Sequence, residues 1–155
     1  MGKKISVFDL DNTLVFTDKL NNESYNFALF EIGRERIIDI KRITRDIVYS
    51  RYELTANEKQ QLIKTKQQYF VNNLSKIEIN DGLLAKLKKL DPNECILWTR
   101  AEKVRAEAIL EYLQIGNCFS KVFYSPKHDL ESDVKTICSF FNCKKEDLIF
   151  YDDIL

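Results

Sequence analysis

The sequence predicts an α/β fold: a Rossmann-like parallel sheet core with an inserted all-helical segment. Three observations predict it. Short apolar runs of strand length lie at Ile5 to Phe8, Cys95 to Thr99, residues 122–124 and Leu148 to Tyr151, and from residue 81 onward they alternate with helical patterns. That alternation is the mark of βαβ units and a parallel sheet. The stretch from about Thr17 to Asn80 instead carries one glycine, no proline and an excess of helix formers. Finally, several of the runs end in polar side chains, and ligands of open α/β sheets bind at the carboxyl ends of strands.

The elements follow in order. Residues 4–10 form the first strand. In the helical stretch, Phe27, Phe30 and Ile32 follow a polar start at Asn21-Asn22-Glu23. Ile37, Ile40, Ile43 and Ile47 then recur at helical spacing. Thr55-Ala56-Asn57-Glu58 reads as a capping box, with Glu58 three residues after Thr55, opening a helix to about Leu74. After Asp81-Gly82, Leu83, Leu84, Leu87 and Leu90 share one helical face, and Asp91-Pro92 ends that helix. A second strand, a helix over about 101–113, a third strand, a helix from Ser132-Asp133 to Phe141 and a fourth strand complete the chain. The expected division is a core of residues 1–16 and 81–155, interrupted by a helical cap of residues 17–80.

Composition narrows the function. Lys plus Arg and Asp plus Glu number 24 each, so charge points neither to nucleic acid nor to a membrane surface. No apolar run nears the roughly 20 residues that span a bilayer. Lys3 and Lys4 lead straight into the first strand, without a signal-peptide pattern. Cys95, Cys118, Cys138 and Cys143 form no CxxC pair, and His128 is the single histidine, so free thiols in a reducing cytoplasm are expected rather than a zinc site.

The chemistry is concentrated in Val7-Phe8-Asp9-Leu10-Asp11-Asn12-Thr13-Leu14. Two acids spaced by two on a regular strand share one face, where their repulsion requires a cation or a shared proton. One reading is a Mg²⁺-assisted acyl-phosphate site, with one Asp as nucleophile and the other as acid/base. The other is a strand running into an Asp-Asn turn.

The FDLDNTL segment, the Cys95–Thr99 run ending in threonine, the basic Ser125-Pro126-Lys127 and the acidic Tyr151-Asp152-Asp153 resemble, in order and spacing, the four motifs of the haloacid dehalogenase superfamily of phosphohydrolases. The resemblance spans nearly the whole chain. Its first motif is highly specific and its acidic fourth fairly so, whereas the Thr and Lys motifs are weak alone. It implies that Asp9 attacks phosphorus and that Asp11 protonates the leaving oxygen, then activates water. It further implies that Thr99 donates to a phosphate oxygen and that Lys127 neutralises the reacting groups, with Lys135 as the competing lysine. Mg²⁺ would be held by Asp9, the Asp11 main-chain carbonyl and Asp152, with Asp153 as a water-mediated ligand or a support. The family sheet places the first strand between the second and the fourth.

Within the insertion, Arg42–Asp46, Thr55–Lys59 and Lys64–Phe70 resemble the cap of β-phosphoglucomutase-like members, with Arg42 and Arg45 either solvated or in contact with substrate. The sequence closes at Ile154-Leu155, just after the fourth motif, where relatives usually continue. A short core, an exposed fourth strand and self-association through it are therefore expected. The implied function is Mg²⁺-dependent hydrolysis of a small phosphorylated metabolite. A sugar phosphomutase is the alternative within the family, and a catalytically weak binding protein is the alternative outside it.

Overall fold

Four apolar runs pair into one parallel sheet in the computed structural model, which describes residues 3–151. The strands are β1 (Ile5–Phe8), β4 (Cys95–Thr99), β5 (Lys121–Tyr124) and β6 (Leu148–Tyr151), in the order β5-β4-β1-β6. Val7 pairs with Ile96 on one side and with Phe150 on the other, which fixes β1 between β4 and β6. Every residue of β1 and β4 is buried. Strands covered on both faces have no polar side to alternate with, and this explains their largely apolar runs, broken only by the buried Ser6 and Thr99. Among the described residues β6 is an edge of this sheet, and its Ile149 is 40% exposed.

Ile5, Val7, Ile96, Trp98 and Leu148 form one core face, closed by Ile137 from α6 (Leu130–Phe141). On the other face Phe8 stacks on Tyr151 at 4.5 Å and meets Phe119 edge-on at 6.1 Å. α4 (Asp81–Lys89) buries Leu84 and Leu87, and the Asn80 side chain caps it by accepting from the Leu83 N–H. α5 is Lys103–Leu113. α6 begins at Leu130, earlier than expected, because Asp129 caps it by accepting from the Ser132 N–H. Burial pushes the Cys95 thiol up to about 11, so it is not a thiolate at neutral pH.

The chain divides into two compact units, residues 1–16 with 79–155, and residues 17–78. Two short strands, β2 (Val15–Phe16) and β3 (Glu78–Ile79), pair where the chain leaves and re-enters the α/β unit. The inserted unit is helical: α1 (Asp18–Glu31), α2 (Arg45–Arg51) and α3 (Ala56–Asn72). No helix among the described residues is long and apolar enough to cross a membrane.

α3 opens on the expected capping box. Thr55 Oγ1 accepts from the Glu58 N–H at 3.1 Å and Glu58 Oε1 accepts from the Thr55 N–H at 3.0 Å. Thr55→Ala is expected to lower unfolding free energy by about 1 kcal/mol, read from denaturant unfolding.

The helix expected from Ile37, Ile40, Ile43 and Ile47 does not form. Only Ile47 lies in α2, and residues 34–44 are irregular. Two features redirect this segment. First, α1 ends in a Schellman motif, with Gly33 at φ 75° and the Arg34 N–H bonded to the Leu29 carbonyl at 2.9 Å. Second, asparagines of α1 take over the role of a backbone ladder. Asn26 bonds both the N–H and the carbonyl of Ile37, at 2.8 and 3.0 Å. Asn22 accepts from the Ile43 N–H, and Asn21 donates to its carbonyl, each at 2.8 Å. Ile37 and Ile43 are thereby buried against Tyr25, Leu29, Val48 and Leu62. Buried backbone must be paired, and here side chains pair it.

Candidate active site

β1 ends at Phe8, not at residue 10. The Asp9 N–H still bonds the Tyr151 carbonyl at 2.9 Å, as the last rung between β1 and β6. The chain then turns about Leu10, whose carbonyl accepts from the N–H groups of Leu14 at 3.0 Å and Val15 at 3.1 Å. Asn12 takes the left-handed conformation at φ 63°, which asparagine tolerates better than most residues. Asp9 therefore follows the strand while Asp11 lies in the turn, as the reading of a strand running into an Asp-Asn turn expects. A cation lies beside each carboxylate.

The first is Lys127. Its Nζ is 3.4 Å from Asp9 Oδ1, with the lysine side chain 1% exposed and the carboxylate 12%. The ammonium also lies 4.4 Å from the centre of the Trp98 ring, within cation–π range. Lys135, the competing lysine, projects from α6 at 77% exposure and pairs with Glu131 at 3.7 Å.

The second cation is Arg105, in the first turn of α5. Its guanidinium grips Asp11 in a bidentate pair, Nη1 to Oδ1 at 2.9 Å and Nη2 to Oδ2 at 2.7 Å, with both side chains largely buried. Sequence reading did not find this residue. The signal was there: Lys103 and Arg105 open a helix with no acid in its first turn, against the preference of the helix dipole.

Thr99 ends β4 and is fully buried. Its Oγ1 accepts from the Ala101 N–H at 3.0 Å, so the hydroxyl proton can be donated elsewhere. Its carbonyl accepts from the Ser125 N–H at 2.9 Å, which ties the end of β4 to the Lys127 loop. In that loop Lys127 takes φ 57°, and its N–H bonds Ser125 Oγ at 3.0 Å. The Ser125 hydroxyl donates to Asp133 Oδ2, which also accepts from Trp98 Nε1 at 3.0 Å. Ser125, Trp98 and Asp133 were not among the expected site residues either.

Asp9, Asp11, Thr99 and Lys127 thus all lie at the carboxyl edge of the sheet or in the loops leaving it. Asp152 and Asp153 lie outside the described residues, directly after Tyr151. No cluster of three or more acids, histidines or cysteines is found among the described residues. The donor that Asp9 offers is a hard carboxylate oxygen, the chemistry that suits Mg²⁺ rather than a thiolate-bound metal. Arg42, in the inserted unit, pairs with Asp18 at 2.6 Å and donates to Thr17 Oγ1 at 3.2 Å.

No protein-family model matches the sequence, and no curated protein does. Solved structures do. A predicted phosphoglycolate phosphatase from Haemophilus somnus 129PT matches with a TM-score of 0.78 at 19% identity, over 96% of this chain and 76% of that one. A haloacid dehalogenase superfamily hydrolase, subfamily IA, variant 1, from Geobacter sulfurreducens PCA matches at 0.70 and 14% identity, over 96% and 79%. A candidate β-phosphoglucomutase from Thermotoga maritima matches at 0.70 and 18% identity, over 95% and 74%. A parallel sheet with β1 at its centre, a helical insertion after β2 and these matches over nearly the whole chain lead to one conclusion: the protein has the fold of the haloacid dehalogenase superfamily hydrolases.

Proposed function

We propose that this chain is a Mg²⁺-dependent phosphohydrolase that cleaves a small phosphomonoester through Asp9. The observation that carries the reading is a buried ammonium, Lys127, 3.4 Å from a carboxylate at the exit of the central strand. A lysine is rarely so buried without a task or a partner.

Asp9 Oδ attacks phosphorus, and the bond from phosphorus to the leaving oxygen breaks. That oxygen takes a proton from Asp11. Water then attacks the aspartyl-phosphate and passes a proton back to Asp11, releasing phosphate. Lys127 offsets negative charge on the transferring group, and the Thr99 hydroxyl donates to one of its oxygens. Asp9, the Asp11 main-chain carbonyl and Asp152 would hold Mg²⁺, with Asp153 as a water-mediated ligand or a support, and the ion would supply further positive charge to the transferring group. Arg105 engages both Asp11 oxygens, so the acid step requires one of those two bonds to open.

The second reading is a phosphomutase, in which a sugar hydroxyl, deprotonated by Asp11 in place of water, takes the phosphoryl group from Asp9.

Hydrolysis of an aryl phosphate by the purified chain, with Mg²⁺ and with chelator, tests the proposal. Release that depends on Mg²⁺ is expected. Absence of release, together with absence of inorganic phosphate binding in the presence of Mg²⁺, would overturn it in favour of a non-catalytic binding protein. Transfer to an added sugar phosphate without hydrolysis would favour the mutase.

A further inference from the structure

One carboxylate governs both ends of Lys127. Asp133 Oδ2 accepts from Trp98 Nε1, on β4, and from the Ser125 hydroxyl, just after β5. Through Ser125 it reaches the backbone of Lys127, because Ser125 Oγ also accepts the Lys127 N–H. Through Trp98 it reaches the ammonium, because it orients the indole ring that Lys127 Nζ overlies. We propose that Asp133 is a positioning residue that sets Lys127 against Asp9, with Ser125 and Trp98 as its two arms. The proposal rests on the phosphohydrolase reading for what Lys127 does, but not for where Lys127 is held.

Three physical points support it. Lys127 is at φ 57°, a conformation that non-glycine residues rarely adopt, so its backbone needs an external hold. The Ser125 hydroxyl supplies that hold, and its own proton needs an acceptor that does not compete for the Lys127 N–H. Asp133, with acceptor capacity for two donors, is that acceptor, and a carboxylate in the first turn of α6 is favoured by the helix dipole. The indole likewise needs an acceptor for its N–H before its face can be fixed under the ammonium.

The role predicts a pattern across variants that a purely structural carboxylate would not give. Asp133→Asn keeps an oxygen able to accept both bonds, whereas Asp133→Ala keeps none. With Mg²⁺ and an aryl phosphate, Asp133→Ala should lower kcat by about tenfold or more with little change in KM, and Asp133→Asn should restore most of it.

A second readout does not depend on turnover. Brief acetylation of the folded protein, followed by mass spectrometry, should show Lys127 protected in the wild type. Asp133→Ala should raise its modification about tenfold relative to Lys135, and Asp133→Asn should not. Ser125→Ala, which cuts only the backbone arm, should give an intermediate gain and serves if Asp133→Ala fails to fold. Lys127 as protected in folded Asp133→Ala or Ser125→Ala as in the wild type would overturn the proposal, as would equal loss in the Asn and Ala variants. A wild type that hydrolyses nothing would count against the phosphohydrolase reading alone, since the labelling still decides where Lys127 is held.

Discussion

Asp9→Asn is expected, on the mechanism proposed above, to lower turnover by roughly 10⁴-fold or more while the protein stays folded, as removal of a nucleophile does in other enzymes. A carboxamide matches the carboxylate in shape, so β1 and its last bond to the Tyr151 carbonyl are not disturbed. What changes is charge and nucleophilicity. The amide oxygen is a poor nucleophile toward phosphorus and forms no acyl-phosphate. Lys127, whose side chain is 1% exposed, also exchanges a charged partner for a neutral one. The amide oxygen can still accept from Nζ, which limits the stability loss to about 1–3 kcal/mol. Aryl phosphate hydrolysis and thermal unfolding on the same preparation check both halves. Activity above about one per cent of wild type in clean material would place the nucleophile elsewhere.

The second large effect is on stability. Arg105→Ala is expected to cost about 2–3 kcal/mol, at or just below the lower end of the range for breaking a fully buried pair, because both partners keep slight exposure. It leaves the Asp11 carboxylate without its fork of two donors. Arg105→Lys should recover only part of this, since an ammonium offers a point charge in place of the planar fork. A double-mutant cycle with Asp11→Ala should return a coupling of about 2 kcal/mol that persists in 1 M salt, because screening reaches buried pairs weakly. Coupling below about 0.5 kcal/mol would mean that the clamp contributes little in solution.

What the sequence made legible is what short windows encode. Largely apolar runs marked the two inner strands, because strands buried on both faces admit little polar alternation. Thr55 and Glu58 marked the start of α3, because a capping box is complete within four residues. The misreadings share a cause. Periodic isoleucines suggested a helix where asparagines on a neighbouring element offered the backbone other partners. Asp9 and Asp11 admitted two readings, one strand face or a strand running into an Asp-Asn turn, because the main-chain bonds about Leu10 that build the turn leave only Asn12 as a side-chain signature. Arg105 and Asp133 were missed because their partners, Asp11 and Trp98, are remote in sequence and meet them only once the sheet has formed.

The position of β1 has a consequence for how the chain is made. It leaves the ribosome before its sheet neighbours β4 and β6, which follow roughly 90 and 140 residues later. The inserted helical unit draws its core from between Tyr25 and Leu62, a contiguous stretch that is synthesised early. During synthesis, then, the first strand waits as an unpaired apolar segment while the helices that follow it already have their partners. An unpaired apolar strand is exposed to aggregation during that interval, and pulse-labelling hydrogen exchange on stalled chains should find α1 and α3 protected before β1.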